Sequence, residues 1–440
     1  MTSRVPPPRP APSRERRETS RRWLEPAAAG AIVTAASVVV AWGGVVVTSA
    51  GDDQARFHLP SVMLLRATAP DFDLVGMPTA TGPLYHAVVA ALAGLFGLGP
   101  AGTQAVGSIF AVLLAVVAVH HVQPLPTWVA RAVAVAPLLL SAYYWQSALW
   151  MLTDDAAMLF AFGALALSTR SAGARGQLAV GVLIAAAIAT RQNSVWLLVP
   201  ACAAHVVCGP GGRPAWPGAA AVARLCLPGV AVLGALVAVW GGVAPPAGRA
   251  MNAMHTSPAA PSYVAAVAAV FLTPVLLAAV DTASIRRHFA IASAMGVLVA
   301  VPALTFPSAA TAAPDDSRRG GLVWALVGAF PDLGGRSPVL VVLAFAGGFV
   351  ATVLTLTLPA RCAAVLAGSL VALAVVLVSG AQLYQKYVEL PVAVLVVLVL
   401  VQLFAADRVA RRWPLVALAA LQALFTAGLV VLPILRTLVV

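Results

Sequence analysis

Residues 26–47, PAAAGAIVTAASVVVAWGGVVV, form an apolar run without a charged side chain. A hydrocarbon core about 30 Å thick needs about 20 apolar residues in a helix, so this run is long enough to cross a membrane. It is too long for the core of a signal peptide, and no convincing small-residue cleavage site accompanies it. The run therefore predicts a first membrane span that the mature protein keeps.

The rest of the chain has a similar composition. Its 440 residues are 61% hydrophobic and 10% charged, with a mean hydropathy of +0.94. Soluble proteins carry about 25% charged residues, so the sequence predicts an all-α polytopic membrane protein with about 11–13 transmembrane helices. The predicted spans lie near 27–48, 102–120, 128–142, 153–169, 177–190, 193–207, 226–242, 262–280, 289–306, 338–358, 362–380, 390–406 and 414–432. Two shorter apolar runs, 83–99 and 321–331, predict re-entrant or surface helices on the outer side.

Charge predicts the orientation. Residues 1–24 are rich in Arg and Pro and predict a disordered cytoplasmic tail, which contacts anionic lipid rather than nucleic acid despite the net charge of +12. With the amino terminus in the cytoplasm, the inner loops hold most of the Arg residues and the outer segments hold most of the acids, in accord with the positive-inside rule. The basic residues are Arg except for Lys386, a bias typical of a GC-rich genome, so we expect a multi-pass protein of a bacterial plasma membrane. Four cysteines lack metal-ligand spacing and predict packing residues: Cys202, Cys208, Cys226 and Cys362.

The distribution of polar residues favours a reaction at one membrane face. The sequence shows no internal repeat and no matched pair of broken helices of the kind that marks a transporter. No interior span carries a periodic row of charges, as a proton relay would. The polar groups instead gather at the predicted outer ends of the spans.

The first external loop, 49–82, carries the densest cluster of charge. It begins with SAGDDQARFHLP, in which Asp52 and Asp53 come shortly after the first predicted span and are followed by Arg56 and His58. The following FHLPSVMLLRA predicts an amphipathic helix on the membrane surface. A carboxylate held at the headgroup level is partly desolvated, which raises its pKa and makes it a better base. The competing interpretation is a pair of solvated loop acids.

Three later stretches supply further polar groups at the predicted outer face. Thr153 or Asp154 can cap the helix that follows, but capping explains one acid and not the adjacent Asp155. Arg191 lies in a short turn between two apolar runs, where it needs an anionic partner, either an acid or a lipid phosphate. Lys386 stands in SGAQLYQKYVELP, a segment that suits either phosphate binding or an aromatic and basic interface belt.

The order of these motifs resembles the GT-C superfamily of polyprenyl-phosphate-sugar-dependent glycosyltransferases. An acidic pair after the first span is followed by a surface helix, TGPLYH (81–86), LTDDAAML (152–159) and RQNSVW (191–196). Together with FHLP (57–60), the last two are similar to motifs of the dolichyl-phosphate-glucose α-1,2-glucosyltransferase family, and WGGVAPPAGRAMNAMH (240–255) is similar more loosely. The resemblance covers residues 27 to about 260. In the eukaryotic family the acids stand immediately before the residue that precedes FH, whereas here three residues separate Asp53 from Phe57, so the equivalent acid stays open.

The resemblance implies an inverting transfer of a hexose, with glucose as one candidate, from a polyprenyl-phosphate-sugar to an acceptor hydroxyl on the extracytoplasmic face. Asp53 or Asp52 would take the proton from that hydroxyl. The acceptor would be a glycan, a glycolipid or a protein of the cell envelope. The implied substrate-binding residues are His58, Tyr85, Asp154, Asp155, Arg191, Gln192, Asn193, His255 and Lys386, with Arg191, His255 and Lys386 holding the departing phosphate. No metal is expected, although Asp52, Asp53, Asp154 and Asp155 offer oxygen ligands for a divalent cation.

These observations divide the chain into the tail, a GT-C-like catalytic module over 25–260, and helices over 261–440 that complete the donor-lipid site. Two other functions stay open. The chain could be a transporter or flippase for a lipid-linked or small polar substrate. It could also be a structural membrane subunit in which the two acids merely pair with Arg56 and Arg191.

Overall fold

A computed structural model of the chain describes residues 14–46, 48–170, 173–207, 218–251, 256–308, 319–380 and 382–439. Within these ranges most of the chain is helical, and its two strands, β1 (Arg319–Gly320) and β2 (Leu383–Tyr384), have two residues each and pair in parallel. Long apolar helices satisfy their own backbone hydrogen bonds, which is the requirement for crossing lipid. The protein is an all-α polytopic membrane protein, and this prediction is confirmed.

The helices include long ones of spanning length and short connecting ones. Those before residue 210 are α1 (Arg14–Trp42), α2 (Ser49–Asp53), α3 (Leu59–Ala67), α4 (Pro83–Leu95), α5 (Pro100–Gly107), α6 (Ile109–Val122), α7 (Trp128–Leu139), α8 (Ala142–Leu149), α9 (Asp154–Arg170), α10 (Ala174–Thr190) and α11 (Leu198–Val206). Those after it are α12 (Ala219–Trp240), α13 (Pro246–Met251), α14 (Ala260–Ala279), α15 (Thr282–Thr305), α16 (Leu322–Gly328), α17 (Pro338–Thr357), α18 (Ala360–Val378), α19 (Lys386–Ala405), α20 (Trp413–Thr426) and α21 (Leu432–Val439). A π-helical turn over Gln54–His58 joins α2 to α3, and a 3₁₀ turn over Gln192–Leu197 precedes α11.

Nine helices in the described residues are long and apolar enough to cross a membrane. They are Trp23–Trp42, Pro100–Val122, Ala219–Trp240, Ala260–Ala279, Thr282–Thr305, Pro338–Thr357, Ala360–Val378, Lys386–Ala405 and Trp413–Thr437. The pair α7 and α8, bent by 66°, would make a tenth if it counts as one span.

The number of long helices is lower than the predicted number of spans because some predicted spans form short or broken helices. The runs near 153–169 and 177–190 form α9 and α10, each 17 residues long. The run near 193–207 begins as a 3₁₀ turn and leaves only 9 residues for α11. The apolar pieces predicted to be too short to cross are indeed short, with 13 residues in α4 and 7 in α16.

Two of the predictions made from the sequence concern residues that lie partly outside the described ranges. Helix α1 begins at Arg14, inside the segment predicted as a tail, so the prediction for residues 1–13 lies outside the described residues and stays untested. Cys208 also lies outside them. Cys202 and Cys226 are free, and their Sγ atoms lie 3.4 Å apart between α11 and α12.

The bundle has two chemically different ends. We define the acidic end as the one where α1 ends and α9 begins, which carries Asp53 and Asp154. At the other end, the basic end, Arg131 pairs with Glu25 at 3.2 Å and Arg170 contacts His121 at 3.3 Å. Helix α19 runs between the two ends through the middle of the bundle, with 83% of its span buried.

Residues 49–82 fold mainly as short helices and turns at the acidic end. Thr48 caps α2 by accepting a hydrogen bond from the Gly51 N–H at 3.0 Å. The predicted amphipathic segment forms α3, which buries Val62 and Leu65 and leaves Met63 46% exposed. The loop then passes a close contact at Gly82, whose N–H donates to the Thr190 carbonyl at 2.9 Å. This contact ties the loop to the end of α10 that lies at the acidic end of the bundle.

Candidate functional site at the acidic end

An open cavity of about 770 Å³ lies at the acidic end. Its wall is formed by residues of the 49–82 loop, the turn after α10, the starts of α8, α9, α16 and α19, and the end of α20. The polar and aromatic side chains in that wall include Asp53, His58, Thr79, Thr81, Tyr143, Gln146, Asp154, Arg191, Gln382, Tyr384, Lys386 and Tyr387. Groups that the sequence scatters over more than 300 residues therefore share one space.

The two neighbouring acids of the first loop have different surroundings. Asp53 lines the cavity, and its Oδ2 lies 3.7 Å from the Lys386 Nζ. Asp52 is turned away and pairs at 2.8 Å with the Nε of Arg56, both side chains being more than half exposed. Successive residues of a helix point roughly 100° apart, which is why one acid faces the cavity and the other faces solvent.

Burial affects the protonation of Asp53. Desolvation raises the pKa of this carboxyl above its ordinary value, and the nearby Asp154 and Asp52 charges act in the same direction. The Lys386 and Arg191 charges oppose the rise, Lys386 more strongly. Because Asp53 remains 40% exposed, its carboxylate is accessible from the cavity. The result is an accessible carboxylate with raised proton affinity.

Asp154 and Arg191 form a buried ion pair in the cavity wall. The Arg191 Nη1 donates to the Asp154 Oδ1 at 2.5 Å, and the two side chains are 12% and 7% exposed. Arg191 also donates to the Thr153 Oγ1 at 3.3 Å and stacks over the Tyr387 ring at 5.0 Å from its centroid. Of the two partners the sequence allowed for Arg191, the acid therefore holds it in this structure. A buried charge without a partner would be strongly destabilising, so the pair fixes the turn after α10 to the start of α9.

Lys386 is the first residue of α19, and its ammonium group lies near two aromatic rings. Its Nζ is 5.7 Å from the centroid of Tyr384 and 5.6 Å from that of Tyr387. Such cation–π contacts hold the side chain while leaving N–H groups free to bind an anion. The three residues thus place a positive charge beside Asp53.

A network around Glu389 holds the start of α19 in place. The Glu389 carboxylate accepts from the Ser141 hydroxyl at 2.7 Å and from the Gln385 amide at 2.6 Å. The Gln385 Oε1 in turn accepts from the Val323 N–H at 2.9 Å. The network therefore joins the starts of α8, α16 and α19, the helices that carry Tyr143 and Lys386 into the cavity.

His58 and His86 form a buried pair whose nearly parallel rings are joined edge to edge by a hydrogen bond. The His86 Nδ1 lies 3.2 Å from the Gly82 carbonyl oxygen, which can only accept a hydrogen bond. The Nε2 of a neutral His86 is then an acceptor, and it receives the Nδ1–H of His58 at 2.9 Å. Burial lowers the pKa of both rings, that of His86 to about 4, so both are neutral at neutral pH. The remaining ring nitrogen of His58, which lines the cavity, therefore carries a lone pair.

Several predicted site residues lie elsewhere. Tyr85 is buried in the core, where its hydroxyl donates to the Gly107 carbonyl at 3.2 Å. Asp155 is buried beside Ser147 and does not line the cavity, since the next residue of the helix points away from Asp154. Gln192 donates to the Ala80 carbonyl at 3.4 Å, and Asn193 lines a small void that Arg191 also lines. His255 lies outside the described residues.

Other cavity residues were not singled out from the sequence. Tyr143 and Gln146 belong to α8, directly after the predicted span at 128–142. Their signal was the aromatic and polar stretch SAYYWQS after Pro137, where the helix pair bends. Gly321 also lines the cavity with φ +122°, a conformation that favours glycine, and a Cβ there would collide with Gln385.

The four acids of the acidic end are not gathered around one point. Asp52 pairs with Arg56, Asp154 pairs with Arg191, and Asp155 is buried apart from the cavity. In the ranges that the structure describes, no group of three or more His, Cys, Asp or Glu side chains is arranged to hold a metal ion. Comparison of the chain with known protein families, with curated proteins and with solved structures gave no match.

Proposed function

We propose that the protein is a membrane glycosyltransferase that moves a hexose from a polyprenyl-phosphate-sugar to an acceptor hydroxyl. The observation that carries the proposal is that Asp53, an accessible carboxylate with raised pKa, shares one open cavity with Lys386 and Arg191. An inverting transfer needs one base for the attacking hydroxyl and positive charge for the leaving phosphate. The cavity combines these groups at one end of a membrane bundle, where a lipid carrier can reach them.

In the proposed reaction Asp53 is the base. The acceptor oxygen attacks the anomeric carbon while its proton passes to the Asp53 carboxylate. The bond between that carbon and the phosphate oxygen breaks, and the electron pair leaves with the polyprenyl phosphate. Positive charge near this oxygen stabilises the extra negative charge as it develops. The products are the glycosylated acceptor and the lipid phosphate.

Lys386 links donor binding to the strength of the base. Without a donor, its positive charge lowers the pKa of Asp53 and partly opposes the effect of burial. When a donor phosphate draws the ammonium group toward itself, Asp53 loses that influence and binds a proton more tightly. The base therefore becomes stronger when a donor is present. Arg191 stays with Asp154 and contributes a fixed positive charge at the rear of the cavity.

His58 serves to orient the acceptor in this proposal. Its free ring nitrogen accepts a hydrogen bond from a sugar hydroxyl, since the hydrogen bond to His86 fixes the other nitrogen as a donor. The low pKa keeps this nitrogen unprotonated at neutral pH. The rings of Tyr143, Tyr384 and Tyr387 offer apolar faces for sugar rings.

The proposal includes the orientation. With the positive-inside rule, the basic end faces the cytoplasm and the cavity opens on the extracytoplasmic side of a bacterial plasma membrane. The lipid donor would then be a product of a reaction that charges a polyprenyl phosphate with a sugar.

A reconstituted transfer assay tests the function. Purified protein in vesicles is supplied with radiolabelled polyprenyl-phosphate hexoses and a mixture of envelope glycans, and the label in lipid and acceptor is followed. We expect one donor to lose its sugar to an acceptor, and the Asp53→Asn variant to lose this activity. Movement of an intact donor across the bilayer, with no transfer in any donor arm, would contradict the proposal and favour a flippase.

A further inference from the structure

A second polar cavity lies at the basic end, remote from Asp53. It has a volume of about 570 Å³ and is formed where α14 ends, α15 begins, α17 ends and the chain passes from α19 to α20. Arg287, His288, Arg408 and Arg411 line it, and we call it the basic cavity. All the contributing helices are of membrane-spanning length, so the basic cavity lies at the boundary between lipid and water.

The basic cavity has an excess of positive charge. Among its described lining residues the single acid is Asp281, and the Oδ1 of Asp281 already accepts from the Ser284 N–H at 2.6 Å as the cap of α15. In the part of the chain that the structure describes, none of the three lining Arg residues has a carboxylate within 4.0 Å. Arg408 is held in place, because its Nη1 donates to the Thr357 carbonyl at the end of α17. A guanidinium has five N–H donors, so donors remain for an anion.

The wall of the basic cavity is also apolar. Leu277 and Leu356 line it and are 42% and 44% exposed, on helices whose outer faces contact lipid. A soluble anion would gain nothing from these leucines, whereas an acyl chain would remove them from contact with the surrounding headgroups and water. The cavity therefore suits a ligand with a charged group and a hydrocarbon part.

An apolar groove adjoins the basic cavity at Leu356, which lines both. The groove has a volume of about 500 Å³ and runs between α14, α15, α17 and α18. Val264, Met295 and Val371 are among its apolar lining residues, and Gly347 and Gly348 leave part of its wall without side chains. A lipid whose headgroup occupies the basic cavity could thus lay a chain in the groove.

We propose that the basic cavity and the adjoining groove form a binding site for an anionic phospholipid of the leaflet at the basic end, with its phosphate on Arg287, Arg408 and Arg411. Guanidinium groups bind phosphate oxygens in pairs of parallel hydrogen bonds, which favours this anion. Clustered basic residues at a membrane surface attract anionic lipid. The proposal rests on the membrane architecture alone and does not depend on glycosyl transfer.

Two charge-matched triple variants test the site. The site variant is R287Q/R408Q/R411Q, and the control is R286Q/R361Q/R412Q, which removes three charges from the same end without altering a residue that lines the cavity. Binding of dioleoyl phosphatidylglycerol to detergent-solubilised protein is measured by native mass spectrometry. We expect the apparent Kd to rise at least tenfold in the site variant and to stay within twofold of the wild type in the control.

Competition distinguishes a lipid from a free anion. Phosphatidylcholine should displace the bound lipid at least tenfold less well than phosphatidylglycerol, and excess glycerol 3-phosphate should not displace it. The single variants R287Q and R411Q remove no hydrogen bond described for these side chains, so they serve as a control for a folding defect in the triple variant. Each single variant should raise the Kd for phosphatidylglycerol. Equal weakening in both triple variants, equal binding of phosphatidylcholine, or displacement by glycerol 3-phosphate would each overturn the proposal.

Discussion

At the residue scale, a difference of one position separates two acids, of which the sequence favoured Asp53 only because it stands nearer to FHLP. Both stand in SAGDDQARFHLP, and the three residues before Phe57 removed the spacing that would have matched one of them to the family motif. Their local helix decides which acid faces the cavity, because Asp52 reaches Arg56 one turn later while Asp53 meets Lys386. Lys386 follows more than 300 residues later, and no local pattern could have predicted that contact.

The influence of Lys386 on Asp53 predicts a change in pH dependence. The Lys386 charge lowers the pKa of Asp53, so Lys386→Gln should raise that pKa and move the acid limb of the kcat/KM profile to higher pH. The rate on the plateau should also fall, by roughly 10²–10³-fold, since one group that stabilises the leaving phosphate is lost. The pH–rate profile of the transfer reaction measures both effects. An acid limb that stays in place or moves to lower pH would contradict the assigned contact.

Two ion pairs in the same site predict contrasting effects on stability. Arg191→Gln leaves Asp154 buried without its partner and should cost about 3–5 kcal/mol. Arg56→Gln breaks an exposed pair and should cost about 0–1 kcal/mol. Thermal unfolding in detergent compares the two variants, and D154N/R191Q should recover part of the loss by removing the stranded charge. Equal melting temperatures for the two single variants would show that the buried pair is not stabilising.

At the element scale, the short helices of the first loop were predictable and their anchoring was not. Apolar spacing in FHLPSVMLLRA indicated α3, and Gly and Pro near residue 82 indicated a turn. The sequence did not show that Gly82 packs against the carbonyl of Ala189 at the end of α10, because this contact joins distant parts of the chain. The sequence likewise did not show the helix pair α7 and α8 with its 66° bend, since the predicted span at 128–142 ends where α8 begins.

The Gly82 contact predicts a specific loss on substitution. A Cβ at Gly82 would collide with the Ala189 carbonyl, so Gly82→Ala should cost about 1–3 kcal/mol and lower activity by displacing Thr79 and Thr81 from the cavity. Gly99 is a matched control, since it also precedes a proline at a helix start and has nothing within 4 Å of its Cβ position. Gly99→Ala should leave melting temperature and activity near wild type. Parallel losses in both variants would contradict the role of the close contact.

At the scale of the whole molecule, composition alone indicated a helical bundle, and the charges suggested which end faces the cytoplasm. Hydropathy picks out more runs than the described residues form long helices, because it does not show where a helix breaks, as it does in the 3₁₀ turn before α11. The packing of side chains in the interior decides where the helices break. It also brings the start of α19 beside α2, which creates the cavity.

The proposed orientation predicts which cysteines a membrane-impermeant reagent can label. In a variant whose native cysteines are replaced by alanine, Asp71→Cys at the exposed acidic end should react in intact cells. Arg412→Cys at the exposed basic end should react only after the membrane is permeabilised. The opposite labelling pattern would place the cavity in the cytoplasm and would exclude an extracytoplasmic reaction.

The central claim is that Asp53, and not its neighbour, is the base for glycosyl transfer. The most direct measurement is the single-turnover rate of sugar transfer from the consumed polyprenyl-phosphate hexose, in Asp53→Asn and Asp52→Asn side by side. General base catalysis contributes about 10²–10⁴-fold, so Asp53→Asn should lose that factor, whereas Asp52→Asn should change the rate less than about fivefold. A normal rate in Asp53→Asn, or a larger loss in Asp52→Asn, would contradict the account.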